Sequence, residues 1–252
     1  MSPQVYLKLV PVALKNGKFV SVSEKEAQDY FIEMSLVDTK FTLSNLIIEK
    51  KVLQEHIKNL SKIIEQKKDI LAKEKYKELA EIHYGWNELY GLRIKDLKKF
   101  SSEQSKISNS LLNRALNVLQ KNHEKSPYFR NFPKNKLSAG IDSHSDNIII
   151  SGKDILFTDI FLVEEHWRLI DSCFDLCRIA VDLESLGQPE LVQVLYNSSK
   201  NNPYNLPKDI LASYELSSSL IKGIYNFAIG KENLGKLYIP TIERLTACLE
   251  SL

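Results

Sequence analysis

Strand-like patterning occurs in this chain in two places only, residues 5–36 and 147–160, and the other regular apolar segments repeat at helical spacing. The first block holds "VYLKLVPVAL" (5–14) and "FVSV" (19–22), β-branched and aromatic runs joined through Asn16-Gly17, a pair suited to a tight hairpin turn. "DYFIEMSL" (29–36) supplies a third strand. From about Thr42 to Gln120 the pattern is helical: Leu46, Ile47, Leu53, Ile57, Leu60 and Ile64 line one face, Gly85 and Gly91 read as breaks, and Ser126-Pro127 as an end. A hairpin follows, "NIII" (147–150) and "DILFTDI" (154–160), then helices over 164–187, 188–200, 207–230 and 239–252. The order is small sheet, helices, lone hairpin, helices, which is an α+β chain.

At 252 residues the chain is long enough to bury a real core and close to the size at which one domain gives way to two lobes. A net charge of +2 supplies no strong field toward nucleic acid or an anionic membrane. The paired lysines of the 50–100 region are interspersed with Glu and Asp, the pattern of a solvated helical face. Cys173, Cys177 and Cys248 show no metal spacing, and the first two, four apart, read as small apolar residues on one helical face. No apolar run approaches a membrane span and the N-terminus has no signal layout, so the cytoplasm is the expected compartment.

The chemistry is concentrated in "AGIDSHSDNIIISGKDILFTDIF" (139–161). Phosphoryl transfer requires an acidic group at the acceptor hydroxyl and oxygen ligands for Mg²⁺, because charge develops on the non-bridging phosphate oxygens. Asp142 and Asn147 stand at the spacing D-x-x-x-x-N, where Asp meets the hydroxyl and Asn the metal, and Asp159 closes the following strand as a second metal carboxylate. A polar turn in which Asp142, Ser143, Ser145 and Asp146 bond their own backbone fits the same residues. "GKENLGKL" (230–237) has the skeleton of a P-loop, yet Leu237 occupies the place of its Ser or Thr and no strand precedes it. His56, His83, His123 and His166 have no partner at metal-ligand spacing, whereas His144 lies between Asp142 and Asn147, where it would order the loop.

The segment from Gly140 to Val192, with Asp142, His144, Asn147 and Asp159, then "IDSCFDL" and "DLESLG", resembles the core of the aminoglycoside phosphotransferase-like kinases. The resemblance runs without gaps for about fifty residues and implies a protein kinase-like fold: a small truncated antiparallel N-terminal sheet and hinge over 1–36, and a mostly helical C-lobe over 37–252 that carries the catalytic-loop hairpin 139–161. It implies Asp142 as the catalytic residue, Asn147 and Asp159 as Mg²⁺ ligands, Asp175 as a support of the loop, and Glu33 and Met34 beside the adenine of ATP. Gly140, Ile141 and Ser143 depart from the family's H-G-D-L loop, and no Gly-rich loop, strand Lys or partnering Glu is recognisable upstream. Three outcomes are thereby set out: an ATP- and Mg-dependent kinase of a small-molecule hydroxyl, a pseudokinase-like binding or scaffold protein, or one half of a split kinase whose N-lobe a partner chain completes. Neither membrane nor nucleic acid is expected as a partner.

Overall fold

The computed structural model of the protein describes residues 5–74, 85–104, 106–133, 137–140, 142–158 and 169–252. Its first element, β1 (Tyr6–Lys15), lies between β2 (Lys18–Ser21) and β3 (Asp29–Met34) in an antiparallel sheet of order β2-β1-β3. Asn16 and Gly17 turn β1 into β2 at φ of 53° and 75°, the left-handed pair that a two-residue hairpin of this twist demands. Val12 is paired with Ser21 on one side and with Asp29 on the other, which fixes the register of the whole sheet. Large apolar side chains emerge from both faces: in β3 Tyr30 and Ile32 point one way and Phe31 the other, each close to half exposed.

Most of the other described residues are helical. Before the hairpin come α1 (Leu43–Ile48), α2 (Gln54–Glu74), α3 (Trp86–Gln104), α4 (Asn109–Lys125) and α5 (Pro127–Asn131). After it come α6 (Ser172–Ser185), α7 (Glu190–Asn197), α8 (Lys208–Ala228), α9 (Glu232–Leu237) and α10 (Ile239–Glu250). The axis of this body is α8, which packs against α3, α4, α6, α9 and α10. It is buried on several faces at once, through Ile210, Tyr214, Leu216, Leu220 and Phe227, as expected of a helix that is apolar around most of its circumference. Two of its buried serines bond back along their own helix, Ser217 Oγ to Tyr214 O at 3.1 Å and Ser219 Oγ to Glu215 O at 2.9 Å. No helix among the described residues is long and apolar enough to cross a membrane.

An aromatic cluster joins the two halves of the helical body. Tyr90 of α3 stacks on Phe129 of α5, centroids 4.6 Å apart, and Trp86, Phe174 and Tyr214 pack beside them, edge-on to one another. The expected break at Gly91 is absent: Gly91 lies inside α3, and a Cβ there would meet the His123 ring of α4 at 3.0 Å. Close approach of two helices, rather than a turn, explains that glycine. Gly85 does precede a helix, and Ser126-Pro127 ends α4 and starts α5, with Ser126 capping the new helix and Pro127 in its first turn. The hairpin strands are β5 (Ile148–Ser151) and β6 (Asp154–Phe157), turned at Gly152 (φ 62°). Two strands without a recognisable sequence pattern, β4 (Leu137–Ala139) and β7 (Leu169–Asp171), pair antiparallel in a separate two-stranded sheet.

Candidate functional site

The β4–β7 pair sets Leu137 opposite Asp171, so the segment leading into the polar loop begins beside the start of α6. Asp171 caps that helix, its Oδ1 accepting from Cys173 N at 3.0 Å. Its Oδ2 accepts from Tyr128 OH at 2.6 Å and from Tyr214 OH at 2.9 Å, and Tyr214 OH in turn accepts from Trp86 Nε1 at 2.6 Å. One carboxylate therefore binds the helix start to the aromatic cluster.

From this base, α6 presents Asp175, Arg178 and Asp182 along one stripe, three and four residues apart, and the loop lies across it. Ser143 Oγ donates to Asp175 O at 2.9 Å, and Ser145 N donates to Asp182 Oδ2 at 2.8 Å. Tyr238 OH holds the other oxygen of Asp182 at 2.6 Å. Ser143, Ser145, Asp175 and Asp182 are all fully buried. Asp182 thus holds the loop from behind through its carboxylate, and Asp175 through its backbone carbonyl.

Asp142 has φ of 46°, the left-handed region that Asp enters more readily than most side chains. Asn147 closes the turn around it: its Nδ2 donates to Asp142 O at 3.2 Å and to Asp142 Oδ2 at 3.0 Å. Arg178 Nη2 donates to the opposite oxygen, Oδ1, and His144 Nε2 lies 3.4 Å from Oδ2. Burial works against the charge on Asp142, yet Arg178 and His144 outweigh it and hold the carboxyl well below the usual carboxylate range. A second pair borders the first. Lys222 of α8, only 4% exposed, donates to Asp146 Oδ2 and reaches His144 Nδ1 at 3.2 Å. Burial again opposes the charge of Asp146, and the Lys222 ammonium lowers its pKa. Because the ammonium is a donor only, His144 Nδ1 must accept, which places any proton of the neutral ring on Nε2, facing Asp142.

The sequence thus brought Asp142, His144 and Asn147 into one cluster but gave no indication of Arg178 or Lys222. Arg178 was legible in retrospect, since it falls between Asp175 and Asp182 at helical spacing. Lys222 had no such signal, as it comes from a helix 75 residues beyond Asn147. Asp159 lies outside the described residues, as do His83 and His166. Glu33 and Met34 end β3; Glu33 is paired with Lys8 at 3.2 Å across the sheet, and Met34 is 45% exposed. No group of three His, Cys, Asp or Glu placed to hold a metal occurs among the described residues. Asn147 does fit a cation ligand, because its bonds to Asp142 run through the amide nitrogen and leave the carbonyl oxygen as the donor atom. Gly235, of the P-loop-like segment, is a packing residue: a Cβ there would lie 2.9 Å from three atoms of the Phe227 ring. Cys173 and Cys177 are buried thiols.

These features define an α+β protein with a small antiparallel sheet, a helical body and a buried acidic loop clamped by two basic side chains. No family model matches the chain, and no curated protein matches it. Among solved structures it is similar to a choline kinase from Cryptosporidium parvum Iowa II, at 11% identity over 88% of this chain and 71% of that one, with a TM-score of 0.49. It is also similar to the Plasmodium vivax ethanolamine kinase, at 14% identity over 83% of this chain, with a TM-score of 0.49, and spans 63% of that protein's length.

Proposed function

We propose that this chain is a cytoplasmic phosphotransferase of protein kinase-like fold that moves the γ-phosphoryl group of ATP to a hydroxyl on a small molecule. The observation that carries the reading is the Asp142–Asn147 clamp, 3.0 Å between Asn147 Nδ2 and Asp142 Oδ2, which fixes a carboxylate and an amide oxygen on one short turn. Asp142 would orient the acceptor hydroxyl toward the γ-phosphorus. With its pKa held so low by Arg178 it is a poor base, so its contribution is alignment, and the hydroxyl proton passes late to an oxygen of the transferred phosphoryl group and from there to solvent, as suits a loose transition state with little need of early deprotonation. The new P–O bond forms to the acceptor oxygen as the bond to ADP breaks. Mg²⁺, when bound, would neutralise charge on the phosphate oxygens; Asn147, and Asp159 outside the described residues, would hold it. Backbone groups at Glu33 and Met34 would meet the adenine.

A second reading, a pseudokinase-like binding protein or one half of a split kinase, is favoured by the sheet β2-β1-β3, whose two apolar faces are largely uncovered. Calorimetric titration of ATP with and without Mg²⁺ separates the readings. Wild type is expected to bind ATP in a Mg²⁺-dependent way that Asn147→Leu and Asp159→Ala each abolish. Absence of Mg²⁺-dependent binding by the folded wild-type chain sinks the kinase reading and leaves the second.

A further inference from the structure

A cavity of about 190 Å³ opens between α1, α8 and α9, and Asp146 and Lys222 form part of its wall. The same Lys222 touches His144 Nδ1, and the opposite nitrogen of that ring faces Asp142, so the cavity wall and Asp142 are separated by the width of one imidazole. Larger surface depressions exist, one of about 570 Å³ beside α4 and the chain's last residues, but they contain no residue of the loop. This position beside the loop sets the small cavity apart.

Its lining is mixed: Ile48, Leu186 and Leu234 supply apolar surface, as the carbon skeleton of a small polar ligand requires, and polar groups stand between them. Ser44 and Asn45 come from α1, Tyr225 and Asn226 from α8. Asn226 is 2% exposed, and its amide oxygen has no hydrogen-bond partner among the described residues. A buried amide oxygen without a partner is costly, and a ligand hydroxyl is a natural donor for it. Charge narrows the class further. Lys222 and Asp146 neutralise each other, and Lys231, which also lines the cavity, adds a positive charge. Tyr225, whose face would otherwise suit a cation, already carries the Lys222 ammonium 5.7 Å from its ring centre. A cationic ligand would meet the uncompensated Lys231 and an aromatic face in use.

From this we infer that the cavity between α1, α8 and α9 binds a small polyol, neutral or singly acidic, with Asn226 accepting from one of its hydroxyls. The His144 ring stands between this cavity and Asp142, so the binding does not depend on the kinase reading above. The test is therefore made without ATP. Amide spectra of the ¹⁵N-labelled full chain are titrated with gluconate, myo-inositol and choline. Gluconate or myo-inositol is expected to shift the amides of Tyr225 and Asn226, with choline at least about tenfold weaker. Asn226→Leu, of similar size and without the orphaned oxygen, should lose that binding while melting no lower than wild type; should it not fold, Tyr225→Ala at the exposed rim gives the same readout. Preference for choline, polyol binding that survives the substitution, or no polyol shift in a protein that binds Mg²⁺-ATP overturns the inference. Polyol binding without ATP binding keeps the site and removes the kinase reading instead.

Discussion

Removing the Arg178 guanidinium leaves the Asp142 carboxylate, 15% exposed and held in a left-handed backbone conformation, without its main counter-charge. Loss of one partner from a buried pair typically costs about 3 kcal/mol, so Arg178→Met should lower unfolding stability by roughly that amount at pH 7 in urea titrations. The same variant should change the acid limb. The folded pKa of Asp142 lies below its unfolded value, so its stabilising contribution is present at neutral pH and is lost as pH falls through the folded pKa. In Arg178→Met that acid sensitivity should shrink; an unchanged acid limb would show that His144 and Asn147 alone keep the carboxyl ionised. Glu215 runs in the opposite direction. Burial raises its pKa from 4.5 to about 7, against the opposing effect of the hydrogen bond that Tyr196 OH donates to it at 2.8 Å. Folding therefore favours its protonated form, and the associated stability is full below 4.5 and lost as pH rises through about 7, by roughly 3 kcal/mol at most. Glu215→Gln should flatten that slope in melting curves taken between pH 4.5 and 8.

At the scale of elements, the strands with a strong local signal were legible and those without one were not. The hairpin of β1 and β2 announces itself through Asn16-Gly17, and β5 and β6 through their apolar runs, because turn chemistry and alternation are local properties. By contrast β4 and β7 are three residues each and exist because the chain must bring the loop next to α6, a demand of tertiary structure that leaves no periodicity. Gly91 and Gly235 illustrate a related limit: a glycine needed for close packing looks in sequence like a helix break in the first case and like part of a P-loop skeleton in the second. Gly235→Ala places a methyl group 2.9 Å from the buried Phe227 ring and should cost about 1–3 kcal/mol, despite the better helix propensity of Ala. A melting temperature at or above wild type would show that the ring yields without strain.

For the molecule as a whole, the contrast lies between a well-buried helical body and a sheet whose Leu7, Leu9, Phe19, Phe31 and Ile32 are 47–63% exposed. Apolar patches of this kind on a native surface bind hydrophobic dyes and promote association. Native protein should therefore enhance the fluorescence of an anilinonaphthalene dye, and Leu9→Lys with Phe31→Lys should remove most of the enhancement without lowering helical content. Equal dye binding by the double variant would move the patch elsewhere. Asp171 bears on how the helical body comes apart. It receives bonds from Tyr128 and Tyr214, each 43 residues away, while capping α6. Three distant segments thus share one anchor, and none can loosen there while the others stay in place. Amide protons around Cys173 should then exchange with solvent only through opening of the entire helical body, and this stretch of α6 should be the slowest to take up deuterium, while the strands β2 and β3 exchange through small local fluctuations.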